Sequence, residues 1–348
     1  YVPIMYYLHL KMKTIYTGDI INNIPVISKL AIEDLTENKI HRLMFQGSQM
    51  NIGQYWYVPV MIAKGKKAGK SILLNTGIHG DEINGIRVIQ DIFASINSET
   101  LTGSIIGVLQ ASPNSLLNIS KNWTLSTDGG DFENMNRMYP GNDSGNTASY
   151  HAYLLWNKLW LNNVDYVIDL HSQSTDTEYP LFVFADYRNE LVKQMAELIP
   201  ADQIKNDAGE NGTVETTFIE HGIPALTIEL GAARIFQQDY IKRSLTGIKN
   251  ILQHLGFINN HEIIQTVITE KTYIGNEMHS IKANAGGYAN ILVNIGDDIL
   301  QGQKVAIQTN AFGDIIEEYF SQKTGKVVSI ATGALREKGG LLVRILYT

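Results

Sequence analysis

The chain has 348 residues, of which 44% are apolar and 18% charged, a balance typical of globular proteins with one large domain or two modest ones. Its formal net charge is -7 and it has no run of five basic residues, which argues against a protein that binds nucleic acid or anionic lipid through a cationic surface. It contains no cysteine, which excludes disulfides, thiolate metal sites and a cysteine nucleophile.

The first three quarters of the chain are predicted to form an α/β catalytic unit. Residues 1–50 are expected to be a mainly β extension packed on a catalytic domain over residues 51–265. Short apolar strands, such as those in SILLNTGIHG and VDYVIDLH, alternate with helices expected near residues 148–161, 189–198 and 238–255. This alternation predicts a mixed, largely parallel central sheet flanked by helices.

The remainder, residues 272–348, is predicted to be an all-β sandwich domain, with a boundary near residues 262–272. The composition there changes to Gly, Val, Ile and turn residues without a helical period. The segments over residues 287–308 and 325–345 resemble each other, which indicates two similar halves. Ordinary hairpins with a chance likeness are the alternative.

A candidate zinc site is spread over two strand ends. The segment His79-Gly80-Asp81-Glu82 lies where an apolar strand turns into a helix, and His171 ends another buried strand, both being positions where open α/β proteins bind ligands. Two imidazoles and one carboxylate suit Zn²⁺ and leave a fourth position open, as in catalytic zinc sites. The alternatives are a Glu favoured by the helix dipole and a His that only caps a strand.

Two acidic residues near strand ends complete the predicted catalytic group. Glu229 ends the apolar strand in IPALTIEL, where a carboxylate is costly unless it faces a cleft or a cation. Beside a metal-bound water, Glu229 can take a proton and later deliver it to a leaving amine. Asp169 lies two residues before His171, on the same side of a regular strand, and can orient that imidazole or another nearby ligand. A strand-end ion pair is the alternative for Glu229.

A long polar loop is predicted over residues 112–147, and it contains the segment NRMYPG. The planar guanidinium of Arg137 suits bidentate binding of a carboxylate, and Asn136 can add a neutral hydrogen bond. The pair therefore predicts a substrate with a free carboxylate, unless Arg137 is simply a solvated loop residue.

The motifs GIHGDE, NMNRMYPG, DLH and IEHGIPALTIELG, in this order, resemble the succinylglutamate desuccinylase/aspartoacylase family, a branch of the zinc carboxypeptidases. The resemblance covers about residues 75–231, and the family also carries a β-rich C-terminal domain like residues 272–348. It implies one zinc ion per chain, with the same metal ligands, carboxylate-binding pair and general base as the residues themselves suggest.

One departure from the family pattern concerns the residue that would stabilise the oxyanion formed from the scissile carbonyl. Relatives often carry a further Arg shortly before the N-x-N-R motif, which helps to polarise the scissile carbonyl. Between Trp123 and Asn136 this chain has no Arg or Lys, and Lys121 is the nearest cation upstream. Either Lys121 or another donor therefore stabilises the oxyanion, or the transition state is less well stabilised than in relatives.

These observations predict a zinc-dependent amidohydrolase that acts on a small N-acyl amino acid. A metallocarboxypeptidase acting on peptides shares every catalytic residue and stays open as an alternative. A second alternative is a carrier module, because the C-terminal half-repeat resembles biotinyl and lipoyl domains. Lys323 lies in the link between the halves, but without the Met that usually precedes the modified lysine.

Partners and location are predicted more coarsely. The expected partner is a small carboxylate-bearing molecule, and a homo-oligomer stays open. No apolar run approaches the roughly 20 residues that a membrane-spanning helix requires, so no membrane association is expected. A cytoplasmic location is the default expectation.

Overall fold

A computed structural model describes residues 12–259 and 272–348. The start of the predicted N-terminal extension and most of the predicted boundary at residues 262–272 lie outside these ranges. The strands before residue 260 are, in chain order, β1 (Ile15–Ile21), β2 (Ile24–Lys29), β3 (Lys39–Gln49), β4 (Tyr55–Lys64), β5 (Lys67–Thr76), β6 (Thr102–Val108), β7 (Trp123–Leu125), β8 (Asp131–Glu133), β9 (Tyr166–His171), β10 (Thr177–Ala185), β11 (Gln203–Asn206) and β12 (Ala225–Ala232).

The helices confirm the three sequence-predicted helical segments and the helix expected after Glu82, and they add two short ones. Residues 112–147, predicted to be a loop, contain a short helix, a small hairpin of β7 and β8, and a 3₁₀ turn over Met135–Arg137. The α-helices are α1 (Asn84–Ser95), α2 (Pro113–Leu117), α3 (Thr147–Leu154), α4 (Glu190–Glu197), α5 (Val214–Glu220) and α6 (Gln238–His254); α3 continues into a π-helical segment over Leu155–Trp160, and a further 3₁₀ turn covers Ile32–Asp34.

The centre of the protein is a sheet with four parallel strands in the order β6, β5, β9 and β12. β4 pairs antiparallel with β6 on one side, and β10 pairs antiparallel with β12 on the other. β3, β2 and β1 extend the sheet beyond β4. Because the parallel strands run to the same edge, polar residues just after β5, at the end of β9 and three positions before the end of β12 come close together there. Glu229, expected at the end of its strand, thus lies within β12, which continues to Ala232.

Helices cover both faces of this sheet. Ile72 and Leu74 of β5 belong to the apolar cluster that includes α1, α4 and α6, whereas Leu73 belongs to the cluster that includes α3 and α5. Successive residues of a strand face opposite sides, so a continuous apolar strand feeds both layers. The predicted α/β class, with a mixed and largely parallel sheet between helices, is confirmed.

The C-terminal residues form antiparallel strands in two sheets. One sheet has the order β18, β17, β15 and β20, and the other strands join the edge of the central sheet. The two sheets enclose an apolar core that includes Val305, Val327 and Val343, which confirms the predicted all-β sandwich. The strands are β13 (Tyr273–Gly275), β14 (Glu277–Lys282), β15 (Gly287–Ile291), β16 (Asp298–Ile299), β17 (Lys304–Thr309), β18 (Ile315–Phe320), β19 (Gly325–Ala331), β20 (Leu335–Arg336) and β21 (Leu341–Tyr347).

The two similar C-terminal segments have the same order of elements, a strand, a two-residue strand and a second strand. Their short strands are exchanged: β16 of the first half pairs with β19 of the second, and β20 of the second half pairs with β15 of the first. This reciprocal pairing gives the sequence likeness a structural counterpart.

The central sheet continues into the C-terminal strands. At the start of β10, Thr177 pairs with Ala331 and Glu178 with Ile330 of β19, so the sandwich covers part of what would be an exposed edge strand. A second connection is the parallel pairing of β11 with β13. The division at residues 50, 265 and 272 stays a prediction. Over the described residues, no helix has both the length and the apolar character needed to cross a bilayer.

Candidate metal and catalytic site

His79, Glu82 and His171 come together at the carboxyl edge of the parallel strands. His79 follows β5, Glu82 lies just before α1, and His171 is the last residue of β9. The Nδ1 atom of His79 is 2.8 Å from Glu82 Oε1, and the Nδ1 atom of His171 is 2.8 Å from Glu82 Oε2. The three side chains are buried, and one ligand-type atom from each lies within 4.8 Å of the others.

This donor set fits a zinc ion. Tetrahedral zinc with ligand distances of about 2.0–2.2 Å holds its ligand atoms about 3.3–3.6 Å apart, so the two pairs between Glu82 and an imidazole, at 2.8 Å, need to separate by less than about 1 Å. Burial opposes the charged form of Glu82. The imidazoles of His79 and His171 outweigh burial and hold the pKa of the Glu82 carboxyl well below its usual range. An ionised carboxylate between two imidazoles is a suitable set of ligands for a divalent cation.

The Nε2 atoms of both imidazoles, which do not contact Glu82, also have hydrogen-bond partners. His171 Nε2 is 2.8 Å from Asp169 Oδ2, and Asn75 Nδ2 donates to Asp169 Oδ1 over 2.8 Å. His79 Nε2 is 3.0 Å from Asn134 Oδ1. Such contacts set the ring orientation of a ligand histidine. Burial opposes protonation of His171, but Asp169 and Glu82 raise its pKa well above the usual range.

Asn134 is a site residue that sequence reasoning did not single out. It is the first Asn of the N-x-N-R motif, so its signal was present but without an assigned role. Its side chain also accepts a hydrogen bond from the backbone N–H of Asn136 over 2.9 Å. Asn134 therefore ties the loop that carries Asn136 and Arg137 to the imidazole of His79.

Glu229 lies beside the three ligand candidates. It is paired with His171 across the parallel ladder between β12 and β9. Its Oε2 atom is buried and has no hydrogen-bond partner within the described part of the chain. Burial, reinforced by the negative charge of Glu82, raises the pKa of Glu229 to about 8. A carboxyl group with a free buried oxygen and a raised pKa is suited to proton transfer.

Asn136 and Arg137 lie on the wall of the same cleft, which has a volume of about 610 Å³. The Nη2 atom of Arg137 donates to Glu210 Oε2 over 2.6 Å, and 43% of the Arg137 side chain is exposed. Asn136 Oδ1 accepts from the backbone N–H of Val214 over 3.0 Å, at the start of α5. Arg137 is thus reachable from the cleft, although a carboxylate of the protein already contacts it.

Lys121 also lines the cleft. Its Nζ atom donates to Ser174 Oγ over 3.0 Å. Its positive charge is close enough to Glu229 to oppose the increase in the pKa of that carboxyl. The structure therefore brings the nearest upstream cation into electrostatic contact with the predicted base.

The C-terminal strands add further side chains that the sequence did not predict for the site. Arg344 of β21 lines the cleft, where its Nη1 atom donates to the hydroxyl of Tyr179 over 2.6 Å and its Nε atom to Ser280 Oγ over 2.9 Å. Glu215 of α5 lines another part of the wall. Neither residue belongs to a strand-end motif, and each reaches the cleft only through the folding of distant segments.

Comparison with known proteins identifies a family. The model of the succinylglutamate desuccinylase/aspartoacylase catalytic domain matches residues 68–255, more than half of the chain. Among curated proteins, N-α-acetyl-L-2,4-diaminobutyric acid deacetylase from Halomonas elongata is 24% identical over 258 residues, which cover 72% of this chain and 73% of that protein.

Solved structures show the same fold. The product-bound ectoine utilization protein EutE (DoeB) from Ruegeria pomeroyi has a TM-score of 0.77 at 20% identity, covering 90% of this chain and 97% of that one. A succinylglutamate desuccinylase/aspartoacylase from Rhodobacter sphaeroides has a TM-score of 0.76 at 18% identity, covering 92% and 98%. The arrangement of central sheet and C-terminal strands is therefore shared with both.

Proposed function

This chain belongs to the succinylglutamate desuccinylase/aspartoacylase family, and we propose that it hydrolyses the amide bond of a small N-acyl amino acid with one Zn²⁺ ion per chain. The observation that carries the proposal is the convergence of His79, Glu82 and His171, with Glu229 beside them in one cleft. The deacetylase from Halomonas elongata, whose name indicates an N-acetylated diamino acid as substrate, supports the same reaction class.

His79, Glu82 and His171 would hold the metal, since their ligand-type atoms already face one another. Zn²⁺, when bound, would supply Lewis acidity towards the amide carbonyl and lower the pKa of a bound water. Asp169 and Asn134 hold the outer nitrogens of the two imidazoles, so each ring keeps the orientation that a ligand requires.

Glu229 would act as the general base and acid. It takes a proton from the attacking water as the water adds to the amide carbonyl, and it then gives a proton to the departing nitrogen. The products are a carboxylic acid and a free amino acid. Burial of Glu229 supports this role, because a raised pKa makes its carboxylate a stronger base towards the attacking water, and the carboxyl group so formed carries the proton to the departing nitrogen.

Arg137 and Asn136 would bind the free carboxylate of the substrate. Because the Arg137 guanidinium already contacts Glu210, we propose that the incoming carboxylate replaces this contact. An exposed ion pair of this kind stabilises a protein by about 0.2–1 kcal/mol, so breaking the contact between Arg137 and Glu210 costs little. Lys121, which lies near Glu229, would stabilise the negative charge that develops on the carbonyl oxygen.

The C-terminal β region would narrow access to the site. Arg344, Met278 and Ser280 line the cleft together with the catalytic residues, so the opening is bounded by both parts of the chain. This supports small substrates over folded proteins. The carrier alternative has little support, since the Nζ atom of Lys323 lies 4.8 Å from the centre of the Tyr347 ring, in a cation–π contact. A cytoplasmic location stays a prediction.

Metal analysis combined with a substrate panel tests the proposed function. The purified protein should contain about one zinc ion per chain and hydrolyse N-acetyl or N-succinyl amino acids faster than short peptides. The free α-carboxylate should be required, so methyl esters should be poor substrates. Preferential cleavage of C-terminal residues from peptides would replace the proposal with a metallocarboxypeptidase, and full activity without any metal would refute it.

A further inference from the structure

The wall of the cleft contains a second buried acidic residue, Glu215, which the proposed reaction does not use. Glu215 lies in the first turn of α5, lines the cleft and is 6% exposed. Its Oε2 atom accepts a hydrogen bond from Thr227 Oγ1 over 2.7 Å. Its Oε1 atom is buried and has no partner among residues 12–259 and 272–348. A buried acceptor without a donor is costly, so this oxygen would be stabilised by a donor on a guest that binds against this part of the wall.

The register of β12 fixes where Glu215 lies relative to the catalytic centre. Thr227, which holds Glu215, and Glu229 are two residues apart on β12, so both face the same side at a spacing of roughly 7 Å. Thr227 pairs with Asp169 of β9, as Glu229 pairs with His171. The Glu215 carboxyl is therefore bound by a residue that lies two positions before the proposed base on the same strand and faces the same side.

Glu215 is also next to the proposed carboxylate-binding pair. Val214, its neighbour in α5, donates its backbone N–H to Asn136 Oδ1 over 3.0 Å. The cleft thus has a cationic group, Arg137, and an acidic group, Glu215, on adjoining parts of its wall. This arrangement suits a guest that carries both a carboxylate and an amine.

The charges around Glu215 favour a cationic guest over a neutral or anionic one. Burial raises the pKa of Glu215 to about 8, and the negative charge of Asp207 adds to this effect although the bond from Thr227 opposes it. Lys205, the cation on this part of the wall, is already paired with Asp207 at 2.7 Å. An ammonium group next to Oε1 would fill the vacant hydrogen-bonding position and stabilise the ionised carboxylate.

We propose that Glu215 binds an amino group of the substrate, so that the preferred substrates are diamino acids acylated on one nitrogen. This inference rests on the proposed amide hydrolysis. Glu215 thereby selects among N-acyl amino acids, whereas the metal ligands and Glu229 carry out the reaction.

Isosteric substrate pairs test the role of Glu215. N-α-acetyl-2,4-diaminobutyrate is compared with N-acetylnorvaline, and N-α-acetylornithine with N-acetylnorleucine, because each pair differs only by an ammonium in place of a methyl group. The unmodified protein should prefer the amine of at least one pair by 10-fold or more in kcat/KM. Glu215→Gln should reduce kcat/KM for the amine substrate about 10- to 100-fold and change that for its methyl isostere less than about 3-fold.

Glu220→Gln is the matched control, since Glu220 is an exposed carboxylate in the same helix and should leave both substrates unchanged. A thermal unfolding temperature close to that of the unmodified protein shows that Glu215→Gln folds, and Glu215→Met serves as a second variant of similar shape. Equal losses on both members of a pair in both variants, or no loss on either, would overturn the proposal and leave Glu215 a structural residue.

Binding of the free products separates this inference from the proposed reaction. Calorimetry on the protein as purified should show that 2,4-diaminobutyrate or ornithine binds more tightly than norvaline or norleucine, and that Glu215→Gln removes the difference. If no amide is hydrolysed but this difference is present, the proposed reaction fails and the amine site stands. If amides are hydrolysed without any preference for the amine, the reaction stands and the amine site is refuted.

Discussion

Glu229 lies directly beside His171 in the parallel ladder between β12 and β9. In such a ladder, paired residues of neighbouring strands point to the same face of the sheet, about 4.8 Å apart. The proposed base is thus held next to a proposed metal ligand by the backbone register of two buried strands.

Glu229→Gln should reduce kcat by about 10²–10⁴ while leaving the zinc content near one per chain, because the amide keeps the shape of the side chain but cannot take up a proton. Activity assays and metal analysis on the same preparation check both parts. A variant that keeps full activity would remove Glu229 from the mechanism, and a variant that loses zinc would show that Glu229 supports the metal.

Asp169→Asn should weaken zinc binding about 10- to 100-fold, because His171 Nε2 loses its negatively charged partner and the ring is less well oriented. Competition with a chelator measures the change. Asp165→Asn provides the control, since Asp165 lies just before the other end of the same strand and pairs with the exposed Lys70. Equal zinc affinity in the two variants would contradict the role of Asp169.

Arg137→Met should raise KM about 10- to 100-fold for substrates with a free carboxylate, with a smaller effect on kcat, because a charge-assisted hydrogen bond in binding is lost. Glu210→Gln should leave KM unchanged or lower it, since it removes the carboxylate that contacts Arg137. Steady-state kinetics on a substrate and its methyl ester test this. An increase in KM in the Glu210 variant would mean that the ion pair itself shapes the site.

Lys121→Met should reduce kcat about 10²–10³-fold with little change in zinc content, which is the usual cost of losing one oxyanion donor. Lys121→Arg should recover part of the activity because it retains the positive charge. If Lys121→Met is fully active, another group stabilises the oxyanion, and Arg344 is the next cation in the cleft to replace.

His151 should make the folded state sensitive to acid. Burial lowers its pKa from 6.5 to about 4, although the hydrogen bond to the carbonyl of Ala111 opposes the shift. Below pH 6.5 the unfolded chain therefore binds a proton that the folded protein resists. This contribution to stability is present above pH 6.5 and is lost as the pH falls towards 4, by about 3 kcal/mol in total. Denaturant unfolding of metal-free protein between pH 7 and 4 measures it.

The control for this prediction is the pH dependence of His151→Gln. The variant is expected to be less stable at pH 7 because the site is fully buried, but its free energy of unfolding should fall less steeply between pH 6.5 and 4. An identical slope in the two proteins would mean that other groups cause the acid sensitivity.

The amino-acid sequence was sufficient for the central sheet and for the positions of the ligand candidates. His171 is the last residue of β9 and Glu229 lies three positions before the end of β12. Both follow mainly apolar residues, which are typical of strands that are buried on both faces. A polar residue at the end of a buried strand is informative because burial there is costly without a cation or a cleft. The pattern is local, so it can be recognised without knowing which strands are neighbours.

Other parts of the site depend on contacts between distant segments. Asn134 belongs to the N-x-N-R motif, but its contact with His79 joins residues 55 positions apart. Glu215 lies in a seven-residue helix with no strong sequence signal, and Arg344 reaches Tyr179 across 165 positions of the chain. The pairing of β10 with β19 brings the C-terminal strands to the cleft, and the register between β9 and β12 sets Glu229 beside His171. Residue types and local periodicity identify which side chains are suited to the chemistry. Pairing between strands that are far apart in the sequence decides which of these side chains lie close together. It cannot be recognised locally, because the free energy of each pairing depends on the packing of the whole sheet.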